Sequence, residues 1–183
     1  MRTDPNSQPS PRIVGPLLTT QRLDLRHLAA CDAAFMLDLL NDPSFIANIG
    51  DRGVRTVADA TRFIQDRMIP SYARYGYGLY LVELRASGAA MGICGLVRRD
   101  YLDDPDIGFA FLPQFRGEGY AWESATAVSV HAFEALRLPR LLAITSLHNT
   151  RSMHLLEKIG LRFERMITPP GEATEIRVYT SDR

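Results

Sequence analysis

The segment Gln114-Phe115-Arg116-Gly117-Glu118-Gly119-Tyr120-Ala121 constrains this chain more than any other. It follows a strand-like run, Ile107 to Leu112, that Pro113 stops. It precedes the strongest helical pattern, Trp122 to Leu136, in which Ala125, Val128, Ala132 and Phe133 share one face. Two glycines between a strand and a helix let the backbone turn tightly and let a ligand approach the main chain closely. The free N–H groups and dipole of the helix start then favour an anion, and Arg116 could add a charged fork to it. The same glycines also read as a plain left-handed turn. The helix crosses over to another buried run, Leu141 to Thr145, so the strands at its two ends are predicted to lie parallel.

Around this unit the periodicity changes repeatedly. Leu23 and Leu25 alternate with polar residues, a half-buried strand. Asp32 to Asn41 reads as a helix that Asn41-Asp42-Pro43 ends, and 44–55 reads as a loop. Thr56 is placed to cap a second helix, which Pro70 kinks or splits before Tyr75-Gly76. Leu79 to Leu84 and Ala90 to Val97 flank the turn signal Ser87-Gly88. Thr150 to Ile159 reads as a helix closed by Gly160, followed by strands Phe163 to Ile167 and Glu175 to Tyr179. The predicted fold is α+β: a single domain over 17–183 with a mixed sheet of about seven strands and about four helices. Residues 1–16, rich in Pro, Ser and Asn, read as a flexible arm.

Composition narrows the function. The 21 basic and 21 acidic side chains cancel, which disfavours nucleic acid and anionic membrane surfaces as partners. Only Lys158 among the basic residues is lysine, most simply a coding bias toward arginine. A Walker loop needs Gly-Lys-Ser/Thr and is excluded. A dinucleotide fingerprint needs a third glycine where Trp122 stands, and Trp122 would block close helix–strand packing. Cys31 and Cys94 form no ligand spacing, and His131, His148 and His154 lack the spacing of a metal site, so no metal is expected. The absence of a secretory leader, an apolar span and a disulfide framework reads as a cytoplasmic protein, monomer or homodimer.

Gln114-x-x-Gly117-x-Gly119 resembles the acyl-CoA pyrophosphate loop of the GNAT N-acetyltransferase superfamily. Asn149-x-x-Ser152-x-x-Leu155-Leu156-Glu157-Lys158-Ile159-Gly160-Leu161 resembles a segment of its ribosomal-protein acetyltransferase (RimJ/RimL-like) subgroup. Leu18-Thr19-Thr20-Gln21-Arg22-Leu23-x-Leu25-Arg26 and Asn41-Asp42-Pro43 are similar to that subgroup as well. The resemblance implies a splayed parallel strand pair that takes acetyl-CoA as co-substrate. Phe109, Ala110, Phe111 and Leu112 would grip the pantetheine chain. Gln114 belongs to the loop, and Arg116, Gly117, Gly119, Tyr120 and Ala121 would meet the pyrophosphate. Asn149 would stand near the cofactor, although its place before Thr150 also suits a helix cap. The implied activity is acetyl transfer to a primary amine, at a protein N-terminus or on a small molecule, by direct attack.

Chemistry then needs a proton acceptor and a thiolate stabiliser. Asp106, at the start of the cofactor strand where related enzymes often place an acid, is the candidate base. It also reads, with Asp103 and Asp104, as a solvated strand-end charge. Many superfamily members carry a tyrosine on the last helix where this chain has Leu156. Ser152 matches the subgroup's serine and stands as the candidate acid. The missing tyrosine leaves an alternative: a catalytically weak acyl-CoA-binding or regulatory module. If the Arg116 side chain pairs with phosphate, Arg116→Ala should weaken CoA binding by about 1–3 kcal/mol.

Overall fold

A computed structural model describes residues 15–182. The predicted arm lies outside these, apart from Gly15 and Pro16. Eight strands form one sheet: β1 (Leu18–Thr19), β2 (Leu23–His27), β3 (Leu79–Leu84), β4 (Ala89–Val97), β5 (Asp106–Phe111), β6 (Arg140–Ser146), β7 (Arg162–Ile167) and β8 (Ile176–Asp182). Their order is β1-β2-β3-β4-β5-β6-β8-β7, and β5–β6 is the parallel pair. The eighth strand relative to expectation is β1, two residues too short to show a period.

Helices α1 (Ala33–Leu40), α2 (Pro43–Ile49), α3 (Val57–Phe63) and α4 (Ile69–Tyr75) precede β3, while α5 (Tyr120–Glu134) and α6 (Thr150–Lys158) follow β5 and β6. The predicted loop over 44–55 is therefore helical in its first half. Asn41-Asp42-Pro43 does end α1, but Asp42 also accepts hydrogen bonds from the Ser44 and Phe45 N–H groups and starts α2 with Pro43 in its first turn. Thr56 and Asp59 form a reciprocal capping box on α3. A π-helical stretch, Ile64–Met68, carries α3 into α4 just before Pro70.

The two sheet faces are covered differently. Residues at odd positions of β5, Ile107 to Phe111, join Ala125, Val128 and Ala132 of α5 and Leu156 of α6 in the larger core. Ala110 and Leu112 face the other way, against Met36, Leu39, Ala60 and Ile64 of α1, α3 and the π segment. Asp106 shares this parity and so belongs to the α1–α4 face. There, Leu142 and Val178 of β6 and β8 pack with Leu102 from the β4–β5 loop in a third, smaller cluster.

Candidate active site

β5 and β6 pair at one position, Asp106↔Leu142, where the Leu142 N–H donates to the Pro105 carbonyl at 2.9 Å. Beyond it the strands part. Backbone groups alternate between the two edges of a strand. The Leu112 N–H reaches back to the Met91 carbonyl of β4 (2.9 Å), so Phe109 directs its N–H and C=O, and Phe111 its N–H, toward the gap, the Phe111 carbonyl being taken by the Arg116 side chain. Of the residues predicted to grip an extended chain, these two present backbone to it, and Ala110 and Leu112 are spent on β4. Such edge groups need a partner, and an extended amide chain supplies one as a pseudo-strand.

At the C-terminal end of β5 the glycine loop opens onto the start of α5. Gly117 (φ +86°) and Gly119 (φ +82°) both take left-handed conformations, and Gly119 caps α5 without any side-chain cap. Among the described residues the N–H groups of Tyr120, Ala121 and Trp122 have no partner. Together with the helix dipole they form an anion-binding nest. Arg116 is placed otherwise. Its N–H donates to the Pro113 carbonyl (3.2 Å), its Nε to the Phe111 carbonyl (2.8 Å) and its guanidinium to Asp42. The arginine thus ties the end of β5 to the cap of α2. Burial works against ionised Asp42, but Arg116 and the two backbone donors hold its carboxyl below the ordinary range. Gln114 is exposed on the short 3-10 turn before the loop.

The cation standing at the loop is Arg22, which no local pattern singles out. Its Nε meets Glu123 at 2.7 Å, its Nη1 donates to the Glu118 carbonyl at 3.0 Å, and its guanidinium lies 4.4 Å over the Tyr120 ring. Glu123 also accepts from the Thr20 hydroxyl (2.6 Å) and the Arg22 N–H (2.9 Å). Those donors outweigh burial and keep the Glu123 carboxyl ionised below its usual range. The pairing spans about a hundred residues of sequence, and the signal for it is the family-like Thr20-x-Arg22 opening.

Asn149 caps α6 by accepting from the Ser152 N–H at 3.1 Å, as its position suggested. Because β5 and β6 run parallel, the starts of α5 and α6 share the open end of the gap, with the half-buried Ser152 on the first turn of α6. On β6 the buried Thr145 hydroxyl has no hydrogen-bond partner among the described residues. Lys158 and Trp122 join the two helices, the ammonium 4.7 Å from the centre of the indole ring.

Asp106 lies at the closed end of the gap. It is 1% exposed and pairs with the Arg99 Nε at 2.8 Å, so it is no solvated strand-end charge. Burial pushes its carboxyl above the ordinary range, against the pull of Arg99. His27 stacks on Tyr72 with ring centres 3.9 Å apart, and Tyr80 extends the stack, a packing role for this cluster. Cys94 is buried, with its thiol pushed up to about 12 by desolvation, and is inert. Among the described residues no three His, Cys, Asp or Glu side chains gather as a metal site, and no helix is long and apolar enough to cross a membrane.

A strand pair splayed open beside an uncapped, glycine-led helix defines a site for an extended ligand that ends in an anion. The chain belongs to the GNAT acetyltransferase family, whose domain model matches residues 22–162. It is similar to the uncharacterized protein YkkB of Bacillus subtilis, 28% identical over 154 residues, with 82% of this chain and 87% of the relative covered. It is also similar to an acetyltransferase from Agrobacterium tumefaciens (TM-score 0.77, 25% identity, 91% and 94% of the two chains covered). RimL, a ribosomal-protein alpha-N acetyltransferase solved in complex with coenzyme A, shares the fold at 15% identity (TM-score 0.72, 90% and 96% covered).

Proposed function

We propose that this protein is a cytoplasmic N-acetyltransferase of the RimJ/RimL-like kind that moves an acetyl group from acetyl-CoA to a primary amine by direct attack. The observation that carries the reading is the single-pair contact of β5 with β6, which leaves Phe109 backbone groups beside the open gap. The residues fit the co-substrate. Phe109 and Phe111 would pair with the pantetheine amides. The N–H groups from Gly117 to Trp122 would meet the pyrophosphate, with Arg22 beside them. Asn149, at the start of α6, would stand beside the path between.

Bound acetyl-CoA supplies the acetyl group as a thioester; the amine nitrogen forms the new C–N bond as the C–S bond breaks. Asp106 accepts the amine proton, directly or through a water. Burial makes its carboxylate a better base, and Arg99 holds it in place. For the Ser152 hydroxyl to donate a hydrogen bond toward the departing thiolate, the thioester would lie between the two ends of the gap, with water carrying the amine proton to Asp106. Coenzyme A titrated calorimetrically should give a saturable heat, and a thiol-release assay over a panel of amines should show turnover. Absence of CoA binding at millimolar concentration defeats the reading. Binding without turnover on any amine favours a catalytically silent acyl-CoA-binding module.

A further inference from the structure

Two aromatic rings on the first turn of α5 each carry a cation, and the two cations are placed differently. The Arg22 guanidinium lies over Tyr120, but it is bound to Glu123 and to the Glu118 carbonyl. The Lys158 ammonium lies 4.7 Å from the centre of the Trp122 ring, and among the described residues it has no carboxylate partner. Glu123, the acid next to Trp122, is taken by Arg22 and Thr20. A cation is thus held in place by a ring and left without a counter-charge.

Trp122 joins this pair to the anion nest through its own backbone. Its N–H is one of the three free donors at the start of α5. The Cα–Cβ bonds of a helix tilt toward its N-terminus. The indole therefore leans back toward the glycine loop, and the stem of Lys158 leans toward the start of α6. Both helix starts lie at the open end of the gap. The indole also remains 40% exposed, more than a ring needed only to pack α6 on α5 would leave to solvent.

Resting on the acyl-CoA reading above, we propose that Lys158, positioned by Trp122, binds the 3′-phosphate of coenzyme A, so that the protein selects thioester donors that carry this phosphate. With the pyrophosphate on the nest, the adenosine and its 3′-phosphate leave the fold at the start of α5, beside the pair. A phosphate monoester carries nearly two negative charges, and an ammonium answers it as a compact point charge with three donors. The ring already restrains the long lysine side chain, so less of its freedom is lost on binding.

The test titrates CoA and 3′-dephospho-CoA calorimetrically into the unmodified protein and into Lys158→Gln. The unmodified protein should bind CoA ~5-fold more tightly, a modest ratio because the pair is exposed, and the ratio should shrink as salt is added. Lys158→Gln should bring the ratio to about one by weakening CoA alone. Equal affinities in the unmodified protein, or a preference that survives the substitution, overturns the proposal. Trp122 is the sole tryptophan, so its emission reads the same place. Emission at saturation should differ between the two ligands, because only CoA draws the ammonium toward a phosphate. Identical emission overturns the proposal too. If neither ligand binds, the acyl-CoA reading itself fails. If both bind alike, that reading stands and only the role of Lys158 is lost.

Discussion

The two ends of β5 are built by different means. At the glycine loop the candidate contacts are backbone N–H groups held by fixed geometry, and the nearby side chains, Arg22 with Glu123 and Arg116 with Asp42, are occupied in bracing that backbone. At the Asp106 end they are side-chain charges, the buried Asp106 carboxylate with Arg99. Backbone recognition depends on where the chain turns and tolerates little change. Side-chain recognition can be rewritten one residue at a time without disturbing the fold.

The largest effect should come at the charged end. Asp106→Asn removes the base while keeping its shape and should lower kcat by ~10²–10⁴-fold, leaving CoA affinity nearly unaltered. Steady-state kinetics beside CoA calorimetry checks this, and an unaffected kcat would place the proton acceptor elsewhere. Next, Gly119→Val forces a β-branched residue into φ +82° and sets its side chain before the anion nest. The strain should cost about 1–3 kcal/mol of folding stability, and the side chain before the nest should weaken CoA binding by roughly 10–100-fold. Full-strength binding by this variant would show that the nest is not the phosphate site.

Smaller effects test the bracing. Glu123→Gln weakens its bonds to Arg22 and Thr20 and should cost about 1–2 kcal/mol of stability, read from denaturant unfolding. Acid should act in the same direction. Asp42 and Glu123 both titrate lower in the folded chain than in the unfolded one. The stability they contribute is therefore fully present above their ordinary values and drains away as pH falls through the folded ones. Thermal unfolding between pH 7 and 3 should show this loss, and Arg116→Met should flatten its Asp42 part. Smallest is the change in CoA affinity on Arg116→Ala, expected to stay under about threefold. A loss of tenfold or more would mean that the guanidinium leaves Asp42 for the phosphate.

The same contrast explains what the sequence disclosed. Local signals were sufficient where one short segment determines the outcome: the bounds of β3, the Ser87-Gly88 turn, the Thr56 cap and the glycines before α5. They failed where one residue serves two elements. Asn41-Asp42-Pro43 stops one helix and starts the next, and a stop signal alone hides α2. They failed again for what lies between strands, because a gap is an absence of pairing that no periodicity records. The Arg22–Glu123 pair depends on residues about a hundred positions apart, and only the family-like Thr20-x-Arg22 opening points to it.

The indole-backed Lys158 bears on the protein's own surface. Under the acetyl transfer proposed above, the protein meets its activated donor throughout its working life. This chain offers that donor a single ε-amino group, and that group lies against the face of Trp122. Whatever biased its codons toward arginine, the outcome is a chain with almost no side-chain amine of its own to acylate, since guanidinium groups keep their protons and do not act as nucleophiles at neutral pH.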